Sequence, residues 1–337
     1  MLSDGAVKQR IRAYGQVAGQ ASDAVAILAV HEVGVFAALV DGPLSAVELG
    51  ERCGVSGWRL GAFLDRVAAS GFLVKRDNRY GLVAGDEMIF DVEHGHGAAL
   101  GFSSVASAFG RLARTVEVLR SDQHMQLAGT GGEATAEDRG RFLSYLHTRS
   151  LDGADELAVL LSQEPVRRVV DLGSGLGTYA AALLRHNPDA TAVLVDRENA
   201  RDAVEGFLDA ERLSERARFI GGDFLTDEFG SGHDLALLGN LAHNLGEDVM
   251  RALLLRTHER LVSGGRVMVK DLAVDDDRLG PVGPARFAIT MALVTPRGGV
   301  FPGSEVAAWV AESGFTVEAV VDLERAAGSY AVIGRKS

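Results

Sequence analysis

The chain has one cysteine, Cys53, among 337 residues. A single thiol builds neither a disulfide framework nor a multi-cysteine zinc site within one chain, and this scarcity predicts a reducing, cytoplasmic setting. Aromatic residues make up only 6%, so packing must rest on close contacts among small aliphatic side chains. Positive charge is in deficit. The 34 Lys and Arg against 46 Asp and Glu leave a formal net charge of −12, which repels a long polyanion, so no nucleic-acid partner is expected. Long hydrophobic runs are also missing. The most apolar early stretch, "AVAILAVHEVGVFAALV", carries His31 and Glu32. It is too short to span a bilayer comfortably and reads as a buried helix. The N-terminus, "MLSDGAVKQRIRAYGQ", lacks the apolar core of a secretion signal. No membrane association is expected.

What is present is the composition of an ordinary globular protein, 47% hydrophobic and 24% charged, at a length that suits about two domains. Residues 22–40 carry a helical pattern that ends at "DGP", a turn signal. Ser45 followed by Glu48 forms a capping box that opens a second helix. "CGVS" is a tight turn, and residues 57–70 form a further helix with Leu60, Phe63, Leu64 and Val67 on one face. "GFLVKRDNRYGLV" alternates around a polar turn and reads as a hairpin. Helix, turn, helix and hairpin make a winged-helix arrangement within residues 1–97. That arrangement raises a DNA-binding regulator as a rival reading. The candidate recognition helix, however, offers Arg59 and Arg66 beside Asp65, without a basic cluster. Residues 98–164 are helical by pattern, broken at the glycine-rich "LAGTGGEATAED". His94 and His96 in "EHGHG" lack a third ligand and read as a solvated turn.

From residue 165 to 337 the regime changes. "RRVVDLG", "ATAVLVD", "ARFIGGD", "DLALLGN" and "RVMVKDL" are Val- and Leu-rich runs alternating with helical stretches, as parallel strands buried on both faces require. The expected fold is a doubly wound α/β domain. "FTVEAVVDL" and "SYAVIGRK" are joined by too few residues for a crossover helix, so they should pair as an antiparallel hairpin at one sheet edge.

"VVDLGSGLGTYAAALL" is strand, glycine loop and helix. Gly173, Gly175 and Gly177 let the backbone turn sharply and approach a ligand closely. Thr178 stands where a dinucleotide fingerprint wants its last glycine. Asp171 places a carboxylate two residues before the loop. Asp196 ends the next strand, where a carboxylate can accept both hydroxyls of a ribose. Asp223 in "GGDF" ends the third strand and can take an adenine amino group, with Phe224 packing on the base. A cationic, adenosine-bearing ligand without phosphates fits these acids better than NAD does. Each acid taken alone also suits a turn or helix cap.

With these motifs the sequence resembles the class I S-adenosylmethionine-dependent methyltransferases. More closely it resembles the small-molecule O-methyltransferases of plant phenolic and bacterial natural-product pathways. "VVDLGSGLG", "LVD" at Asp196, "GGDF" and the turn-and-strand "ERLVSGGRVMVKD" match the catalytic half. "GPLSAVELGERCGVSGWRLGAFLDRVAASGFL" is similar to the family's winged-helix dimerisation domain, so nearly the whole chain is covered. The resemblance implies a Rossmann-like sheet behind a helical dimerisation domain, a homodimer, S-adenosylmethionine as cofactor and a small aromatic or polyketide-like hydroxyl acceptor. Carbon or nitrogen acceptors are the alternative. It also implies that Arg197 and Asn240, which follow the second and fourth strands, join the cofactor set. Tyr145 and His147 stand on a helix that lines the acceptor site in the family, where Tyr145 can pack near the methionine end of the cofactor; Phe287 and Met291, one helical turn apart, can form an apolar wall for the acceptor. Ordinary core packing remains open for each of these four.

The family places a general base just after the fourth strand, in a His-Asp-Trp triplet. Here that position reads His243-Asn244-Leu245. The resemblance makes His243 the base and Asp271, at the end of the fifth strand, its orienting acid. A second family glutamate is replaced by Val300, with Glu305 reading as a first-turn helix residue. Some relatives hold a metal with the His-Asp pair and a downstream histidine. Asn244 removes one of those ligands, and no histidine follows His258, so no metal is expected. A packed or helix-capping role for His243 stays open beside the catalytic one.

Overall fold

The computed structural model describes residues 4–90, 114–121, 123–125 and 134–337. The predicted turn at His94 and His96, and the first part of the helical region from residue 98, lie outside the described residues. The chain divides into two compact units, Met1–Thr115 and Val116–Ser337.

In the first unit the predicted helix over residues 22–40 is two helices. α1 (Asp4–Glu32) starts earlier and stops sooner, and α2 (Val35–Ala38) follows a turn at Gly34. Val30 on one side of that turn and Val35 and Phe36 on the other are all buried. Both pieces present apolar faces to one core, and the continuous hydrophobic pattern therefore hides the break. Strand β1 (Leu44–Ser45) leads into α3 (Ala46–Cys53). Ser45 caps α3 as expected: its hydroxyl accepts the Glu48 amide at 3.3 Å while its own amide donates to the Glu48 carboxylate at 2.6 Å. Helix α4 (Gly57–Ala69) buries Leu60, Leu64 and Val67. Phe63 departs from expectation and is 39% exposed, because it sits at the margin of that stripe. Strands β2 (Val74–Arg76) and β3 (Arg79–Gly81) form the wing, joined by Asp77 and Asn78. Both turn residues have positive φ, the backbone a two-residue hairpin needs. The small sheet has the order β1-β3-β2. The short helix α5 (Glu87–Phe90) closes this part, its Phe90 ring stacked on Phe36.

After α6 (Thr115–Leu119), α7 (Ala136–Leu161) runs into the alternating region. The order is β4 (Arg168–Leu172), α8 (Thr178–His186), β5 (Thr191–Asp196), a 3-10 turn (Glu198–Ala200), α9 (Arg201–Ala210), β6 (Ala217–Gly221) and β7 (His233–Gly239). Then come α10 (Ala242–Leu245), α11 (Glu247–Arg260), β8 (Leu261–Leu272), α12 (Val282–Val294), α13 (Gly303–Glu312), β9 (Phe315–Asp322) and β10 (Ser329–Lys336). The expected turn at "VSGG" is absorbed into β8, whose pairing with β7 shifts register there.

The seven strands lie in the order β6-β5-β4-β7-β8-β10-β9. The pairs from β6 to β8 are parallel, and β10 runs antiparallel to both β8 and β9. The C-terminal hairpin is therefore at the edge, as expected. Successive side chains of a strand point to opposite faces, and the core divides accordingly. Val169, Leu237 and Met268 pack with α7, α8 and α9. Val170, Leu238, Val267 and Val269 pack with α11 and α13. The chain leaves β4 toward β5 and returns from β6 to β7 on the other side of β4. That reversal opens a crevice at the carboxyl ends of β4 and β7, where ligands of such sheets bind.

Candidate active site

The glycine loop after β4 is fixed to the next strand: the amides of Gly173 and Ser174 both donate to the Val195 carbonyl, at 2.8 and 3.1 Å. Gly177 enters α8 at φ 86°, and a Cβ there would lie 2.2 Å from Leu194 Cδ2. Only glycine fits that approach.

Asp171 is 1% exposed, and its Oδ2 has no hydrogen-bond partner. Burial pushes its carboxyl up to about 8. The Ala180 amide works against the shift and the nearby Asp196 charge adds to it. An orphaned carboxylate oxygen in so dry a place fits a cationic ligand. The residues present therefore suit the S-adenosylmethionine implied by the sequence.

Asp196 ends β5 as expected, and both its oxygens already accept hydrogen bonds from the chain. Oδ2 accepts the Gly175 amide at 2.8 Å. Oδ1 accepts the Arg197 amide at 2.7 Å and the Arg139 guanidinium at 2.6 Å. Both side chains of the Arg139–Asp196 pair are nearly enclosed, at 10% and 7% exposure. Arg139 is not among the residues the motifs single out. Its signal is spacing: it stands four residues before the buried Leu143, on the inward face of α7.

Asp223 lies two residues beyond β6 and is exposed. Its Oδ1 accepts the Leu225 amide at 2.8 Å, and its own amide donates to Asp227 at 2.9 Å. Phe224 packs onto the core on one face of the sheet. The Arg197 side chain is exposed at the start of the 3-10 turn. Asn240 follows β7 with φ 59°. Its Oδ1 accepts the Lys270 ammonium at 2.8 Å, and its Nδ2 meets the Tyr179 hydroxyl at 3.2 Å. Lys270 is a further residue the motifs missed. A lysine inside the apolar run "RVMVKDL" is its signal, and burial lowers its pKa, with Asp271 opposing and Arg149 reinforcing.

His243 sits in the one-turn helix α10, immediately before α11. Its Nδ1 is 2.6 Å from Asp271 Oδ1, and its backbone amide donates to Oδ2 at 3.0 Å. Asp271 is 2% exposed. Burial alone would raise its pKa. The charge and hydrogen bond of His243, the Leu272 amide and the Lys270 charge outweigh burial, and the carboxyl titrates below its ordinary range. The pair expected from the sequence is thus brought together. Because Asp271 occupies Nδ1, Nε2 is the ring nitrogen left for another partner. The Phe287 ring stands edge-on to the imidazole at 5.3 Å.

The other expected contacts divide. Met291 is 2% exposed in a cluster with Val118, Met125, Leu293 and Val294, and Phe287 packs against its edge. His147 Nδ1 lies 2.9 Å from the Thr178 hydroxyl, and its ring meets Phe207 edge-on. Tyr145 lies under the Arg149 guanidinium. Val300 is 3% exposed and offers no acid; its carbonyl accepts from Arg278, which also pairs with Glu305 in the first turn of α13. Among the described residues no group of three or more His, Cys, Asp or Glu is placed to hold a metal, and no helix is long and apolar enough to cross a membrane.

The turn bearing His243 is clamped from outside. The Gly299 amide donates to the His243 carbonyl at 3.0 Å. At Gly298 a Cβ would fall 2.2 Å from that same oxygen and 2.4 Å from Thr295 Oγ1.

Known proteins resemble this chain along most of its length. The O-methyltransferase domain family matches residues 109–316. The 3-hydroxy-5-methyl-1-naphthoate 3-O-methyltransferase of Streptomyces sahachiroi is 30% identical over 86% of this chain and 84% of its own length. The tetracenomycin polyketide synthesis 8-O-methyl transferase TcmO of Streptomyces glaucescens is 28% identical over 86% and 87%. Relatives named as N- and C-methyltransferases match as well. Among solved structures, mitomycin 7-O-methyltransferase MmcR superposes with a TM-score of 0.83 at 21% identity, covering 99% of this chain and 100% of that one. The chain belongs to the S-adenosylmethionine-dependent small-molecule O-methyltransferases.

Proposed function

We propose that this enzyme methylates a hydroxyl of a small aromatic or polyketide-like natural product, with His243 as general base and Asp271 as its orienting acid. The observation that carries the reading is the 2.6 Å contact between His243 Nδ1 and the buried Asp271. It supports the reading because it leaves Nε2 to take the hydroxyl proton and favours the imidazolium that then forms. S-adenosylmethionine, when bound, supplies an activated methyl whose carbon–sulfur bond breaks, the electron pair returning to sulfur, as the acceptor oxygen takes the carbon. Asp171, the loop of Gly173, Gly175 and Gly177, Asp196, Arg197, Asp223, Phe224 and Asn240 would hold that cofactor. Phe287 gives the acceptor an apolar edge beside the base, and Tyr145, His147 and Met291 are the further proposed acceptor contacts. The naphthoate and polyketide names of the two Streptomyces relatives support the acceptor class. Product analysis tests it: mass spectrometry and NMR should place the new methyl on oxygen, and a methyl on carbon or nitrogen would overturn the hydroxyl assignment.

A cytoplasmic homodimer completes the reading. Its support is the resemblance of the first unit to the family's dimerisation domain, and Tyr14, Val17 and Trp58 of that unit are 70%, 63% and 86% exposed. Light scattering on the purified protein should return twice the mass of the 337-residue chain; the mass of one chain would refute the dimer.

A further inference from the structure

The residue beside the base departs from the family triplet, and the structure gives that departure a role. Asn244 Nδ2 lies 2.9 Å from His243 Nε2 and 3.1 Å from the Asn240 carbonyl oxygen. A carbonyl oxygen only accepts, so the Asn244 atom facing it must be the NH2 group and not the amide oxygen. Its second hydrogen is then directed at Nε2, which must accept with its lone pair. With Nδ1 donating to Asp271, these contacts select the one tautomer able to take a proton at Nε2.

We propose that Asn244 is a positioning residue that presets His243 as a base and stands in for the acceptor hydroxyl at Nε2 until the acceptor arrives. The acceptor O–H replaces the amide N–H as the donor to Nε2. Once Nε2 is protonated, the amide can no longer donate there, and its remaining hydrogen bond to Asn240 holds it aside. Aspartate, the family's residue here, could not act in this way. It has no hydrogen for Nε2 and would meet the Asn240 carbonyl with negative charge. It would instead favour a protonated ring. The elements packed against α10 are β8, α11 and α12, together with the loop around Arg297. Charged side chains on those elements include Asp271 on Nδ1, Lys270 committed to Asn240, Glu247 paired with Arg251, Asp248 paired with Arg297, and the exposed Arg286.

The proposal rests on His243 being the base, and the experiment separates the two ideas. In the cofactor-free, 15N-labelled protein at neutral pH, with His243 assigned through His243→Gln, its Nε2 should resonate as an unprotonated, hydrogen-bonded nitrogen. Asn244→Ala should move that resonance to the position of a free lone pair. The acid limb of the kcat/KM profile should then shift upward in Asn244→Ala and further in Asn244→Asp. Asn244 is exposed, so both variants should fold, and Asn244→Ser is a second small replacement. A protonated Nε2 in the parent protein, or an Nε2 resonance indifferent to Asn244→Ala, overturns the proposal whatever the activities are. Undiminished turnover in a His243 variant would remove the base role alone and leave the NMR result standing.

Discussion

Replacing His243 by Ala should lower kcat by about 10²- to 10⁴-fold, the usual contribution of a positioned general base, while leaving the dissociation constant for S-adenosylmethionine unchanged within about twofold. His243→Asn is the companion variant. Its amide can still donate to Asp271 and so avoids stranding a buried carboxylate. Asp271→Asn should cost about a hundredfold or more, for a reason the geometry supplies. Asp271 accepts from Nδ1 and the Leu272 amide on one oxygen and from the His243 amide on the other. Every contact is a donor pointing inward, so an NH2 group on either side faces an N–H. Single-turnover kinetics with calorimetry of cofactor binding separates the two effects. Full turnover in both His243 variants would exclude proton transfer by this residue.

Asp171→Asn should weaken S-adenosylmethionine about ten- to hundredfold, the loss expected when a charged hydrogen-bonding partner becomes neutral. It should also change how stability depends on pH. The Asp171 carboxyl is raised from 3.8 to about 8 in the folded chain. Below about pH 4 both states are protonated, and the contribution of this group to stability is complete. As pH rises toward 8 the unfolded chain gives up its proton while the folded chain keeps it, so the cofactor-free protein loses stability. The amide of the variant has no such proton. Melting temperatures of the parent should fall between pH 5 and pH 8 relative to the variant, and the variant should melt higher at pH 8, by on the order of 5 °C. Binding of the cationic cofactor near pH 7 should release a proton from the parent and none from the variant, as calorimetry in buffers of different ionisation enthalpy reads directly. Equal affinities, or parallel melting curves across that pH range, would sink the assignment of Asp171.

Both predictions concern residues visible in the sequence, and the reason is common to them. Asp171 and Asp271 end Val- and Leu-rich strands, and a parallel sheet delivers strand ends to one edge, so position along the chain nearly fixes position in space. The capping box at Ser45 and the hairpin at Asp77–Asn78 were legible because their signals span four residues or fewer. Arg139 was not legible as the partner of Asp196, since 57 residues separate them and only packing of α7 against the sheet joins them. Lys270 and Asn240 meet in the same way, from neighbouring strands. The break between α1 and α2 was hidden by apolar residues on both sides of it. The polar start of α1, with residues 12–17 exposed, offers no periodicity to read.

The clamp on the His243 turn has a consequence for anyone redesigning this catalyst. Position 298 has no room even for a methyl group, because the His243 carbonyl and the Thr295 hydroxyl already fill it. Loop grafts or length changes between Thr295 and Val300 would therefore displace His243 first. If Phe287 borders the acceptor as proposed, randomisation belongs there, since its ring meets the imidazole through side-chain contact alone. A library that varies residue 287 while holding Gly298 fixed should keep a far larger share of active members than one that does the reverse.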